Sequence, residues 1–211
     1  MALRRDIQGR AIAVLVLGYL VGFIAFPYLP GTFLQERLSA RIMVAFTLPT
    51  TALVIYGLFR SLWKHDAVRT GNGAFEITYH AIVLRVLLFV FVLHTLVMIV
   101  LTGAIDIDGL RSSVSRAVIV LLGVVLITIG NLLPRTRPNI AVGVRTTRTL
   151  TNAQVWQQVH RVSGYATVGL GVVIALTGLV LGRESVGPVI SAAALFAAVT
   201  VLVSYRKHVR T

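Results

Sequence analysis

The groups that could do chemistry are few and stand far apart. Arg85 and His94 lie inside one apolar run, HAIVLRVLLFVFVLHTLVMIV. Ionisable side chains at such depth are costly, so each is a candidate functional group. They are nine residues apart, which at about 100° per helical residue puts them on opposite faces and argues against a joint site. Arg85 is about one turn from the start of the run, within snorkelling reach of the interface. His94 is near the middle, as a neutral packing residue or a proton-relay group. His80 and His94 are fourteen residues apart, the spacing at which one helix ligates two haems. A second helix must repeat it, and position 174, fourteen beyond His160, is isoleucine. No cofactor is expected, a single haem between His80 and His160 being the one alternative left.

Other chemistry is thinner still. The chain has no cysteine and hence no thiolate metal site. It carries no H-E-x-x-H, no P-loop, no Ser-His-Asp set and no carboxylate pair within an apolar run. No metal site and no catalytic residue follow, and the expectation is a non-enzyme. Asp106 and Asp108 form a D-x-D-G pattern, but a calcium loop needs about 12 residues and a closing Glu. A solvated turn is the better reading.

The elements that must hold these groups are membrane spans. Charged residues make up 13% of the 211 positions, against about 25% in soluble domains; mean hydropathy is +0.86. A span needs about 20 apolar residues. Six runs qualify: Ala11–Phe26, Ile42–Trp63, Ala81–Leu101, Ala117–Leu133, Val162–Leu181 and Val186–Val203. The first has the basic start of a signal peptide but no small-x-small cleavage site, so it reads as a retained span. The last two, joined at Gly182–Ser185, form an antiparallel hairpin. Gly164, Gly171 and Gly178 recur at seven-residue spacing, and the expected partner of this small-residue stripe is the sixth span. The fold class is an all-α membrane protein of six transmembrane helices, with Asp and Glu absent from all six.

Six spans bring both termini to one side. That side carries Arg4, Arg5, Arg10, Arg60, Lys64, Arg69, Arg135, Arg137, Arg145, Arg148, Arg161, Arg206, Lys207 and Arg210; the other has Arg37, Arg41, Arg111, Arg116 and Arg183. The positive-inside bias makes both termini cytoplasmic. It also accounts for the net charge of +13, leaving no direct nucleic-acid partner to infer.

The densest polar passage, Asn131 to Arg161, is then the second cytoplasmic loop. Asn131 closes the fourth span and Pro134 stops the helix. Pro138 drives Arg137 towards an extended conformation, and Gly143 allows a second turn. Thr151 as N-cap with Gln154 makes a capping box, so from Asn152 a helix runs on into the fifth span. Trp156 suits the membrane interface, and His160 follows one turn later on the same face.

The passage GNLLPRTRPNIAVGVRTTRTLTNAQVWQQVHRVSG, from Gly130 to Gly164, resembles the signature of the SdpI family of bacterial membrane proteins. The resemblance is carried by Gly130, Asn131, Pro134, Arg135, Arg137, Pro138, Asn139, Gly143, Arg145, Thr146, Thr149, Leu150, Asn152, Trp156, His160 and Arg161. Thr147 and Arg148 stand where members often carry Pro-Trp. Residues 1–79 form an N-terminal two-helix region that only faintly resembles the domain of unknown function preceding the signature; Tyr28–Pro30 and Leu48–Pro49 survive of it. Residues 80–211 form the SdpI-like four-helix region, with its signature loop at 130–164.

The resemblance implies a multi-pass protein of the bacterial cytoplasmic membrane that gives immunity against a secreted peptide toxin. It further implies signalling, with a cytoplasmic winged-helix repressor held at the membrane. Two other readings stand beside it. One is a transporter or ion/proton antiporter using Arg85 and His94. The other is topology alone, the loop arginines meeting anionic lipid headgroups. Topology explains arginines anywhere in the loop, but not arginines set among Pro, Asn, Gly and a capped helix at fixed offsets.

Overall fold

A computed structural model describes residues 2–30, 38–70, 73–104, 111–180 and 183–210. The helices are α1 (Ala2–Ala25), α2 (Leu38–Thr70), α3 (Gly73–Leu101), α4 (Arg111–Gly130), the short α5 (Thr147–Thr151), α6 (Ala153–Val180) and α7 (Arg183–Arg210). Single 3-10 turns follow α1 at Phe26–Tyr28 and α4 at Leu133–Arg135, each with proline where no backbone N–H is needed. No strand occurs among the described residues. Asp106, Asp108, Arg37 and Gly182 lie outside them.

Helices α1, α2 and α3 pack on one another; α6 is flanked by α4 and α7, and α3 meets α4 to join the two groups. Among the described residues five helices are long and apolar enough to cross a membrane, over Asp6–Tyr28, Leu38–His65, Glu76–Leu101, Ser113–Arg135 and Ala153–Val180. In α7 the apolar part is the shorter Val189–Val203. Phe23, Leu58, Leu179 and Phe196 stand exposed on the outside of the bundle, a surface suited to hydrocarbon, while the helices satisfy their own backbone.

The glycine stripe of α6 has a different partner from the expected one. It faces α4, not α7. A Cβ on Gly171 would lie 2.6 Å from the Gly123 carbonyl, and one on Gly123 would lie 2.6 Å from the backbone of both Gly171 and Ala175. Gly130 and Gly164 repeat the contact, each 2.8–2.9 Å from the other's carbonyl on the same test. Gly123 and Gly130 share the seven-residue spacing of the stripe, so two helices present small residues in one register and their backbones close directly. Helix α7 packs on another side of α6, and Ala193, Phe196 and Ala197 line an open groove there with Tyr165, Gly169 and Val173.

A second close approach joins α1 to α2. Pro49, inside α2, lacks the N–H that Ala45 O would otherwise accept. Gly22 of α1 lies against that carbonyl, where a Cβ would come within 2.6 Å.

Candidate functional site

The segment from Asn131 to Arg161 folds against the start of α6. Asn131 is exposed, its N–H closing the last turn of α4 on Ile127 O at 3.1 Å. Pro134 is the second residue of the 3-10 turn and lies under Gly164, where a Cβ would meet its ring at 2.9 Å. The turn ends at Thr136, which is extended and buried, with its hydroxyl donating to Leu133 O at 2.6 Å.

Asn139 organises the next turn from within. Its Oδ1 accepts from the N–H groups of Ala141 and Val142 at 2.9 and 2.7 Å, and its Nδ2 donates to Arg137 O and Val142 O at 2.7 and 3.2 Å. An amide has two donors and one two-lone-pair acceptor, so the side chain, 1% exposed, is fully used. Pro138 beside it is half-buried, and the Arg145 guanidinium donates to Ile140 O.

Gly143 takes a positive φ of 111°, as its sequence position suggested, and lets the chain pass across the His160 ring. Val144 N–H donates to His160 Nε2 at 3.0 Å, while His160 Nδ1 contacts Trp156 O at 2.9 Å. An Nε2 that accepts and an Nδ1 that donates define the neutral Nδ1–H tautomer. Val144 is held from its other peptide group too, since its carbonyl accepts from Thr149 Oγ1 at 2.8 Å. A haem between His80 and His160 would need the Nε2 lone pair that Val144 N–H occupies. His80 sits on α3 with its Nε2 3.7 Å from Glu76 Oε1.

Trp156 departs from the interfacial anchor the sequence suggested. It is fully buried, its ring stacked on His160 with centroids 3.8 Å apart and planes 14° from parallel. Its indole N–H donates to Thr136 O at 3.1 Å, twenty residues away. A buried indole needs an acceptor for that N–H, and the loop supplies one that a headgroup would otherwise provide. The one-turn offset of Trp156 and His160 on a shared helix face is as the spacing predicts.

The capping is also redistributed. The capping box belongs to Thr146 and Thr149 at the start of α5, with Thr149 N–H donating to Thr146 Oγ1 at 3.2 Å and Thr146 N–H to Thr149 Oγ1 at 2.9 Å. Asn152 ends α5 and caps α6, its Oδ1 accepting from Gln154 and Val155 N–H at 2.9 and 3.2 Å. Thr151 instead donates back to Thr147 O at 2.8 Å. A T-x-x-T box serves as well as T-x-x-Q because the second hydroxyl reaches the cap's N–H. That spacing was the available sign for Thr146 and Thr149; nothing local marked Thr136, whose part depends on Trp156.

The set thus divides by depth. Thr136, Asn139, Thr149, Trp156 and His160 are buried, whereas Arg135, Arg137, Arg145, Arg148 and Arg161 are exposed. Neither intramembrane candidate joins them. Arg85 is half-buried on α3 and donates to Ala81 O at 2.9 Å, one turn towards the helix start. His94 is 1% exposed beside a cavity of about 10 Å³ bordered by Gly18, Pro49 and Phe91. The Gly18 backbone is near, but among the described residues neither ring nitrogen meets a hydrogen-bond partner.

Residues 135–205, which span the loop from Arg135, α5, α6 and most of α7, match the family model of the SdpI/YfhL protein family. No curated protein and no solved structure matches the chain.

Proposed function

With residues 135–205 an SdpI/YfhL-family region, we propose that this multi-pass membrane protein is a non-enzymatic immunity and signalling protein. It protects a bacterium against a secreted peptide toxin, and it docks a cytoplasmic partner of the winged-helix repressor kind on the loop 130–164. It lies in the cytoplasmic membrane with α1, α2, α3, α4, α6 and α7 as six spans and both termini inside, the orientation favoured by the distribution of Lys and Arg.

One observation carries this reading: the loop's buried polar side chains hold its own backbone, while Arg135, Arg137, Arg148 and Arg161 stay exposed. Topology alone asks for positive charge but not for a frame under it. Arginines on a fixed frame offer planar, multidentate donors to carboxylates on a partner. The test neutralises Arg135, Arg137, Arg148 and Arg161 to Gln together, at matched membrane levels. Loss of toxin resistance and of repressor co-purification is expected. Retention of both sinks the proposal.

A transport reading has His94 in its favour, a buried imidazole beside the Gly18 backbone whose ring nitrogens meet no hydrogen-bond partner among the described residues. Ion-coupled flux in proteoliposomes that His94→Ala abolishes would establish it; unchanged flux removes its support.

A further inference from the structure

A cavity of about 80 Å³ opens between the first turns of α1, the last turns of α2 and the start of α3. Its polar lining comes from Gln8, Tyr56, Arg60, Lys64 and His80. We propose that it binds a single phosphate group, carried by a lipid headgroup or by a small soluble phosphate ester.

Charge is the first reason. Tyr56, Arg60 and Lys64 succeed one another at four-residue intervals along α2, and like charges so spaced repel. Among the described residues no carboxylate lines it. Of the nearby acids, Asp6 is bound to Arg10 at 2.7 Å, and Glu76 stands 3.7 Å from His80 Nε2. An anion between the two cations relieves the repulsion that the described side chains leave in place.

Shape is the second. At about 80 Å³ the cavity is wide enough to admit a phosphate-sized group. Its wall is rigid: Tyr79 is 1% exposed, donates its hydroxyl to Phe59 O at 2.7 Å, and packs 5.0 Å from the Trp63 ring. The donors are the right kinds. Arg60 presents a planar fork, Lys64 a mobile point charge and Gln8 an amide N–H. Arg60 Nη1 donates to Tyr56 Oη at 3.5 Å, which leaves the phenol's own hydrogen for a ligand oxygen. Exposed Arg60 and Lys64 flank the mouth. Tyr79 and Val83 share an apolar cluster with Leu132, Leu133 and Val142, so the site lies at the same end of the bundle as the arginine loop.

The whole chain, purified from membranes of phosphatidylglycerol and phosphatidylethanolamine, is examined by native mass spectrometry for retained phospholipid. In a second arm, the chain in phosphatidylcholine nanodiscs is titrated with glycerol 3-phosphate and binding is read by phosphorus NMR. In one arm or the other the wild type binds one equivalent. Arg60→Gln with Lys64→Gln weakens that binding at least about tenfold, two charge-assisted hydrogen bonds being removed. Arg60→Lys retains most of it, which guards against misfolding as the cause. The charge-matched pair Arg116→Gln with Arg206→Gln leaves it unchanged. Retained phosphatidylglycerol assigns the site to a headgroup; a glycerol 3-phosphate response alone assigns it to a soluble ester. Binding in neither arm, or equal loss in both double variants, overturns the proposal.

Discussion

His160 Nε2 fills the space in which a side chain at position 143 would begin: a Cβ built on Gly143 falls on the imidazole. The same nitrogen accepts the N–H of Val144. Glycine and histidine, seventeen residues apart, therefore form one joint, in which the missing side chain lets the backbone reach the acceptor. Gly143→Ala meets both a positive φ of 111° and this collision. It should lower stability by about 1–3 kcal/mol, read as the thermal midpoint in detergent and as faster tryptic cleavage after Arg145. Adding His160→Ala removes the collision, so the double variant should cost less than the sum of the singles. Strict additivity would separate the two residues.

Trp156→Phe keeps a ring over His160 but deletes the N–H that reaches Thr136 O. The expected loss is about 1 kcal/mol, with Thr136 O left short of a donor. Trp156→Ala also opens a cavity and should cost about 3–5 kcal/mol. Thermal melts of the two variants side by side check the order. Equal losses would mean that the ring over His160 adds nothing beyond the indole N–H, and no loss in Trp156→Phe would mean that the N–H itself contributes nothing.

Asn139→Asp is nearly isosteric and retains the acceptor for Ala141 and Val142 N–H. It deletes both donors, to Arg137 O and Val142 O, and buries a charge. A loss of at least about 1–3 kcal/mol is expected, with tryptic cleavage gained after Arg145, which threonine follows. An unchanged proteolysis rate would show that the turn holds without its central amide.

Gly169 and Gly171 offer an internal control on one helix. A Cβ at Gly169 meets nothing within 4 Å, whereas one at Gly171 comes 2.6 Å from the Gly123 carbonyl. Gly169→Ala should be neutral or stabilising by up to about 1 kcal/mol through helix propensity. Gly171→Ala should destabilise by about 1–3 kcal/mol, because backbone has to move. Melting temperatures shifted alike in both variants would disprove the tight α4–α6 seam.

The helices were legible in the sequence because hydrocarbon demands long apolar runs, and five of the expected runs fall on helices long enough to cross. The apolar part of α7 fell short of that length among the described residues. Partner choice was harder to read: the Gly164, Gly171 and Gly178 stripe fixes a face of α6, but Gly123 and Gly130 lie in another apolar run, and small residues in α7 looked equally suitable. Within the loop, Asn139, Gly143 and His160 stood out by type. Their mutual contacts did not, because an irregular chain has no period from which to project which groups meet. Trp156 was misplaced for a related reason: preference for an interface cannot register a carbonyl twenty residues upstream that only the fold delivers.

The glycine seam has a mechanical consequence. Backbone meets backbone at Gly123–Gly171 and again at Gly130–Gly164, with Pro134 wedged beneath the latter. Neither helix can slide along the other without driving a carbonyl into a main chain. Helix α4, the arginine loop and the head of α6 therefore travel as a single piece. Anything that re-aims those arginines must swing the piece as a whole, turning on the contact of α3 with α4 and on Leu132, Leu133 and Val142, which pack in one cluster with α3.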